Sequence, residues 1–191
     1  MLILKKKYYS FIENTREFNL NLIKIRKKFN IIYRNQTTKE SIDELKIFRR
    51  NCKKNGINFY IANNTSLLSK IKADGLYISA HNKDLLLNRY AKKGYLVIGA
   101  AHNQNEINIK IKQGCKKIIF SRLFKTNYSY KKGYLGVQRF NIISMRSLVE
   151  LVPLGGINSG NLCKLNTVKS NSFASLSAIK KKPAKIINRL F

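Results

Sequence analysis

The chain has 191 residues, of which 44% are hydrophobic, including ten tyrosines and ten phenylalanines. A chain of this length and composition is expected to bury a real core and not to be disordered. We therefore predict a single domain over residues 1–191, with a short basic helix or tail from about residue 180. No stretch approaches the roughly 20 apolar residues of a membrane span, so we expect a cytoplasmic protein without membrane contact.

Lysine and arginine outnumber aspartate and glutamate by 38 to 9, which gives a net charge of +29. A surplus of this size is compatible with nucleic-acid binding. The lysines are spread along the chain, however, and only residues 5–7 and 180–182 form short runs. Two interpretations stay open: a compositional drift toward adenine-rich codons, or contact with nucleic acid that is non-specific and mediated by charge alone.

The three cysteines, Cys52, Cys115 and Cys163, are widely spaced along the chain. They form no C-x-x-C pair of the kind used for metal or redox chemistry. We interpret them as buried or incidental thiols.

Short apolar runs alternate with segments of helical periodicity along most of the chain. The predicted strands cover residues 8–12, 29–34, 59–62, 74–79, 95–99, 116–121 and the run that precedes Gly155. The predicted helices cover about 18–28, 41–54, 67–71, 85–92 and 106–113, with a short one ending near 145–149. Apolar strands that alternate with helices are typical of a covered parallel sheet. About eight strand candidates predict a (β/α)8 barrel, since the alternative Rossmann sheet lacks its G-x-G-x-x-G motif.

Polar residues follow several of these strands. Arg34, His81 and His102 each stand at or just beyond the carboxyl end of a predicted strand, which is the functional face of a barrel. A histidine can both take and give a proton near neutral pH, so His102 is the candidate catalytic residue. Residues 122–136 form a long polar loop with aromatics and glycines, and we predict an active-site lid there.

A turn with paired glycines, Gly155 and Gly156, follows an apolar run and precedes Asn158. Glycines let a ligand approach the backbone, and Asn158 is a suitable cap for a following helix whose N–H groups would face an anion. A second small-residue turn follows at residues 175–178, as expected for a barrel phosphate site. We expect a valine at Gly156 to obstruct the ligand with little effect on the fold.

Five short motifs resemble, in order and spacing, those of the thiamine-phosphate synthase/TenI superfamily. Residues 73–77 (ADGLY) resemble its ADGVH strand, 99–103 (GAAHN) its G-x-S-x-H turn, 120–126 (FSRLFKT) with 135–136 its GPVFPT…PLG loop, 154–158 (LGGIN) its ALGGIN turn, and 176–179 (LSAI) its VVSAI turn. The resemblance covers about residues 31–179.

The resemblance implies a function in thiamine biosynthesis and a set of site residues. Synthases of this superfamily join a pyrimidine-methyl pyrophosphate to a thiazole phosphate, and TenI-like members include thiazole tautomerases that use the histidine of the S-x-H turn, here His102. The implied phosphate-binding residues are Gly155, Gly156, Leu176 and Ser177. The implied pyrophosphate- and pyrimidine-binding residues are Arg34, Asn64 and Thr126.

The departures from the motifs concern the metal. The synthases use Mg²⁺ to stabilise the pyrophosphate as it leaves. At the positions where the synthases carry metal-binding carboxylates, the resemblance places Asn64 and Asn82, and Asp84 is the nearest acid. Mg²⁺ prefers charged oxygen ligands, so a cofactor implied by the resemblance lacks its expected ligands, and we predict no metal-binding residue.

The sequence therefore leaves several functions open. The first is a thiamine-phosphate synthase, and the second is a TenI-like tautomerase or a non-catalytic relative that binds phosphorylated thiazole or pyrimidine ligands. A basic nucleic-acid-binding protein is a remote third. A homo-oligomer is compatible with each of them.

Overall fold

A computed structural model describes residues 6–16, 18–22, 26–35, 40–126, 133–158 and 160–175 of the chain. Eight parallel strands form its centre: β1 Lys7–Ile12, β2 Phe29–Tyr33, β3 Asn58–Ala62, β4 Gly75–Ile78, β5 Leu96–Ala101, β6 Lys117–Ser121, β7 Glu150–Leu154 and β8 Ser172–Ser175. Each strand pairs with its neighbours in chain order, and β1 pairs with β8 to close the barrel. The predicted (β/α)8 fold is confirmed.

Helices connect the strands on the outside of the barrel. The described residues contain α1 Ile42–Lys54, α2 Thr65–Lys70, α3 Asn88–Lys92, α4 Gln104–Lys112 and α5 Gly136–Arg146. Helix α1 begins at a capping box, because the Ser41 hydroxyl accepts from the Glu44 N–H and the Glu44 carboxylate accepts from the Ser41 N–H. Within the described residues, no helix is both long enough and apolar enough to span a membrane.

The barrel interior is filled by one inward side chain or more from every strand. This inner core consists of Tyr9, Phe11, Ile32, Tyr60, Tyr77, Ala80, Ile98, Ala100, Ile119, Val152 and Ala174. Small residues on β5 and β8 face aromatics on β1, β3 and β4, and the rings of Phe11 and Tyr77 meet edge to face at 5.4 Å. Side chains therefore fill the centre of the barrel, as in other barrels of this type.

A second apolar layer lies between the strands and the helices. Helix α1 buries Leu45, Phe48 and Cys52 on one face, as its helical spacing predicts. The ring of Phe48 packs edge to face on Phe59 of β3 at 5.3 Å between centroids. Alternate strand residues thus face two different cores, which explains why the strand sequences are apolar on both faces.

Three helix predictions are wrong: two helices do not form in the described residues, and one has different bounds. The segment before β2 contains in its described part only the short 3₁₀ turns Leu20–Leu22 and Arg26–Lys28. The helix expected to end near residues 145–149 is α5, which begins at Gly136, because Phe140 with Val137 and Ile143 packs on the core at helical spacing. No helix starts at Asn158 in the described part of the chain. Its side chain instead accepts from the Gly160 N–H, and a 3₁₀ turn follows at Leu162–Thr167.

Asp74, at the amino end of β4, joins three parts of the barrel wall. Its carboxylate pairs with Arg49 of α1 and accepts from the Phe59 N–H of β3 at 2.8 Å. The next residue must be a glycine, because a Cβ at Gly75 would lie 2.1 Å from the Leu96 carbonyl oxygen. The first part of the ADGLY motif, Asp74 and Gly75, is therefore a packing feature at the amino end of β4, whereas its last residue, Tyr77, lies further along the strand.

Asp74→Ala should lower the free energy of unfolding by on the order of 3 kcal/mol, because it leaves the largely buried Arg49 without its carboxylate. Urea unfolding of the purified protein measures the change. Asp43→Ala is the control, since the Asp43 side chain is 86% exposed in its pair with Lys46 and should cost about 0.5 kcal/mol or less. Equal losses in the two variants would show that the Asp74 contacts contribute little.

Two of the three cysteines are buried, as predicted, and Cys163 is exposed. Burial raises the pKa of the Cys52 and Cys115 thiols to about 12. Since the thiolate is the reactive form, both should be inert in the folded protein.

A chromogenic disulfide reagent at pH 8 should therefore label one thiol in the native protein, and all three once the chain is unfolded. The Cys163→Ser variant should show no rapid labelling. Fast reaction of two or three thiols in the native protein would contradict the described burial.

Candidate active site

A cavity of about 240 Å³ opens at the carboxyl ends of the strands. Its apolar walls come from Phe11, Tyr77, Ala80, Ala100, Ile119 and Leu154, and its polar lining comes from Arg34, Ser79, His81, His102, Ser121, Arg122 and Thr126, with Gly155. The volume is slightly below the roughly 300–1,000 Å³ of typical small-molecule pockets. A small ligand would meet an apolar floor below and cationic or hydroxyl groups around it.

His102 follows directly on β5, and strand register places it beside Ser121. Ala101 pairs with Phe120, so the next residue of each strand meets the other across the ladder. The Ser121 hydroxyl lies 2.8 Å from Nδ1 of His102. A hydroxyl can donate to or accept from a ring nitrogen. In either tautomer this contact fixes the imidazole and leaves Nε2 as its other polar atom.

The start of α4 fixes the backbone of His102. The Asn103 side chain caps the helix by accepting from the Glu106 N–H at 2.9 Å. The Glu106 carboxylate in turn accepts from the His102 N–H at 2.7 Å and from the Asn103 amide at 3.0 Å. Both the ring and the backbone of His102 are therefore held in place, which favours a defined function for its ring.

Two arginines enter the cavity from opposite sides. Arg34 follows β2 and donates its backbone N–H to the Ile12 carbonyl at 2.8 Å, while Arg122 follows β6, four strands away in the barrel order. The Arg122 guanidinium donates to the Thr126 hydroxyl at 3.0 Å. Burial raises the pKa of Tyr77 to about 12, although the charge of Arg34 acts in the opposite direction.

The paired glycines support the loop that follows β6. Gly155 and Gly156 both have positive φ, at +101° and +68°. The Gly155 carbonyl accepts from the Phe124 N–H at 3.0 Å. A Cβ at Gly156 would lie 2.4 Å from the Lys125 carbonyl oxygen, and one at Gly155 would lie 3.0 Å from Cγ of Arg122. The glycines are therefore required for close packing against residues 122–126.

The ends of the predicted lid are joined at its base. The Arg122 and Leu123 carbonyls accept from the N–H groups of Leu135 and Gly136, both at 2.9 Å. Residues 127–132 lie outside the described part of the chain, so the function of this loop as a lid stays a prediction.

A family model described as thiamine monophosphate synthase matches residues 3–179 of the chain. The chain belongs to the thiamine monophosphate synthase family. This confirms the resemblance drawn from the five motifs.

Curated relatives agree with this family assignment. A thiamine-phosphate synthase of Persephonella marina is 25% identical over 175 residues, which is 91% of this chain and 81% of the relative. A thiamine-phosphate synthase of Prochlorococcus marinus is 27% identical over 152 residues, which is 78% of this chain and 44% of the relative. The chain thus matches less than half of the length of the second relative.

A solved structure of a thiamine phosphate pyrophosphorylase from Pyrococcus furiosus shares the fold. It superimposes with a TM-score of 0.70, covering 100% of this chain and 98% of the other, at 15% identity. At that identity the likeness concerns the barrel alone.

The structure places four of the predicted site residues in one cavity. Arg34, His102, Thr126 and Gly155 all line the cavity, and His81 joins them. Asn64 and Gly156 do not line it. Asn64 instead caps α2, because its side chain accepts from the Leu67 N–H at 2.9 Å. Leu176 and Ser177 lie outside the described residues, so the phosphate turn they would complete stays a prediction.

Sequence reasoning missed Ser121, Arg122, Tyr77 and Ser79 as cavity residues. A usable signal was present, because inward strand residues recur every second position. Ser79 and Ser121 stand two residues beyond Tyr77 and Ile119, which belong to the inner core. Extending the alternation past each strand end would have found both serines.

Carboxylates are scarce in this chain, and the fold uses most of them. Of nine Asp and Glu residues, Glu17 lies outside the described residues, and Glu13, just beyond β1, also has a partner. The other seven make fold-supporting contacts: Glu40 with Thr15, Asp43 with Lys46, Glu44 with Arg16, Asp74 with Arg49, Asp84 with the Leu86 N–H, Glu106 with the His102 N–H, and Glu150 with Lys117.

The implied Mg²⁺ does not fit the cavity. Its described lining contains no aspartate or glutamate, and no group of three or more metal-ligating side chains occurs within the described residues. Asp84, the acid nearest to the expected ligand position, caps a 3₁₀ turn at Leu85–Leu87. Two arginines beside the cavity would also repel a divalent cation.

A larger depression of about 620 Å³ lies at the opposite end of the barrel, beside the amino ends of β7 and β8. Lys6 on its wall donates to the carbonyls of Val168 and Ser170, at 3.0 and 2.7 Å. Residues at that end of a barrel usually serve stability, so the smaller cavity is the candidate active site.

The steric requirement at Gly156 overturns our expectation that a side chain there would leave the fold intact. Gly156→Ala should lower the free energy of unfolding by about 1–2 kcal/mol for its left-handed backbone and by about 1–3 kcal/mol more for the collision with Lys125.

Gly136→Ala is the matched control, because Gly136 has a φ of +71° and no atom within 4 Å of an added Cβ. Gly136→Ala should lower the free energy of unfolding only by the cost of the left-handed backbone, about 1–2 kcal/mol. Denaturant unfolding compares the two variants, and equal losses would contradict the close packing of residues 124–125 on Gly156.

Proposed function

We propose that this chain joins a pyrimidine-methyl pyrophosphate to a thiazole phosphate and releases pyrophosphate. The observation that supports this most is the cavity itself, which gathers His102, Arg34, Arg122 and Thr126 over an apolar floor in a member of this family. Curated relatives are thiamine-phosphate synthases, which agrees with this reaction.

The residues suit the charge changes of that reaction. The thiazole nitrogen forms a bond to the pyrimidine methylene carbon, while the carbon–oxygen bond to pyrophosphate breaks and its electron pair leaves with the pyrophosphate. Negative charge therefore grows on the leaving group, where fixed cations and hydrogen-bond donors stabilise it. The apolar walls from Phe11, Tyr77 and Ile119 exclude water from the reacting carbon.

His102 is placed to assist departure of the leaving group. Its ring is held at Nδ1 by Ser121, so Nε2 can donate a hydrogen bond or a proton to a pyrophosphate oxygen. Proton transfer by a positioned side chain typically contributes about 10² to 10⁴ in rate.

A thiazole tautomerase is the second candidate, because the Ser121–His102 contact also holds a proton carrier beside an apolar floor. A tautomerase needs a group that takes a proton at one atom and returns it at another, and histidine does this near neutral pH.

Turnover assays with purified protein separate the candidates. Incubation with both substrates should yield thiamine phosphate and pyrophosphate, and His102→Ala should lower kcat by about 10² to 10⁴. Gln104→Ala, an exposed change two residues away on α4, should leave kcat unchanged.

Isomerisation of the thiazole without coupling to the pyrimidine would favour the tautomerase instead. If neither reaction occurs while thiazole phosphate still binds, the chain is a non-catalytic relative.

A further inference from the structure

The cavity combines cationic side chains with an absence of carboxylates in its described lining. Arg34, Arg122, His81 and His102 face the same space. Glu106 accepts from the backbone N–H of His102, and neither Glu106 nor Glu13 belongs to the lining. The electrostatic field inside the cavity is therefore positive and favours an anion.

The position of Arg122 is supported by its surroundings. Its guanidinium donates to Thr126, and its aliphatic part lies over Gly155, where a Cβ would come within 3.0 Å of Cγ. The glycine thus creates the space that the arginine occupies. When FSRLFKT is aligned with GPVFPT by its Phe124 and Thr126, Arg122 stands at the first proline of the motif. The motif therefore has no cation at the position where this chain has Arg122.

The two arginines have the geometry of a clamp. Arg34 follows β2 and Arg122 follows β6, which lie on opposite sides of the eight-stranded barrel. A guanidinium presents a planar fork of N–H donors that binds phosphate oxygens in pairs and keeps its charge at every physiological pH. A pyrophosphate group carries two phosphoryl units and could therefore contact both forks.

We propose that Arg122, together with Arg34, replaces a divalent cation, so that this chain binds the pyrophosphate group of its substrate without metal. This inference rests on the proposed function for the identity of the ligand. Side-chain cations here neutralise the charge that a carboxylate-bound Mg²⁺ would otherwise neutralise.

Titration calorimetry with inorganic pyrophosphate tests the inference directly. The native protein should bind pyrophosphate in EDTA with an affinity within about threefold of that in excess Mg²⁺, which is under 1 kcal/mol. Arg122→Leu should weaken metal-free binding by about ten- to hundredfold, the range expected for lost charged hydrogen bonds. The affinity of Arg122→Lys should lie between those of the native protein and Arg122→Leu, because lysine keeps the positive charge but lacks the paired N–H donors of the guanidinium.

Arg139→Leu is the matched control, since it removes the same charge from an exposed position on α5. Its pyrophosphate affinity should remain within about twofold of the native value, because salt screens the effect of a distant surface charge on the ligand. A weakening equal to that of Arg122→Leu would mean that overall charge alone attracts the ligand, and would overturn the inference. Circular dichroism of each variant establishes that it is folded.

The outcome also separates this inference from the proposed function. Pyrophosphate binding that requires Mg²⁺, together with turnover that EDTA abolishes, would overturn metal-free binding and leave the synthase in place. Arg122-dependent binding in EDTA without any turnover would support the clamp and refute the synthase. No binding in either condition would refute both.

Discussion

The register of the eight parallel strands is the constraint on which the candidate site depends. Because inward side chains recur every second residue, the inner-core residues Ile32, Tyr77, Ala100 and Ile119 fix what stands two residues further along each strand. Those positions are Arg34, Ser79, His102 and Ser121, and all four line the cavity. A slip of one residue in β5 or β6 would turn His102 or Ser121 outward and break the hydrogen bond between them.

The scarcity of acids shapes both the fold and the site. The chain has nine carboxylates against 38 lysines and arginines. Several of these carboxylates stabilise the fold: Asp74 pairs with the largely buried Arg49, and Glu106 accepts from the His102 N–H at the start of α4. Fixed backbone N–H groups are satisfied by these carboxylates. The described lining of the cavity is left with cations and hydroxyls, which favours anionic ligands whatever the chemistry that follows.

Much of this arrangement could be predicted from the sequence, because apolar strands and strand-end residues depend on local patterns. The barrel, Arg34, His102 and Gly155 follow from such patterns, whereas Thr126 was implied only by the family resemblance; all four residues line the cavity. Asn64, which the family resemblance assigns to the site, does not line the cavity, because Asn63 has a left-handed backbone (φ of 55°) and the chain then enters α2, which Asn64 caps. The Ser121–His102 bond depends on the pairing of two strands, and the sequence of either strand alone does not reveal it.

The glycine pair shows why a motif can be right while its interpretation is incomplete. A ligand-binding turn and a loop-packing turn both need backbone without Cβ atoms, so the sequence cannot separate them. In the fold, Gly156 meets the carbonyls of Phe124 and Lys125, and Gly155 meets the side chain of Arg122. The pair therefore positions the loop after β6, and through it Arg122 and Thr126, at the cavity edge. A phosphate bound beside Gly155, as the proposed function requires, would share its surroundings with that arginine, because the turn packs directly against the Arg122 side chain.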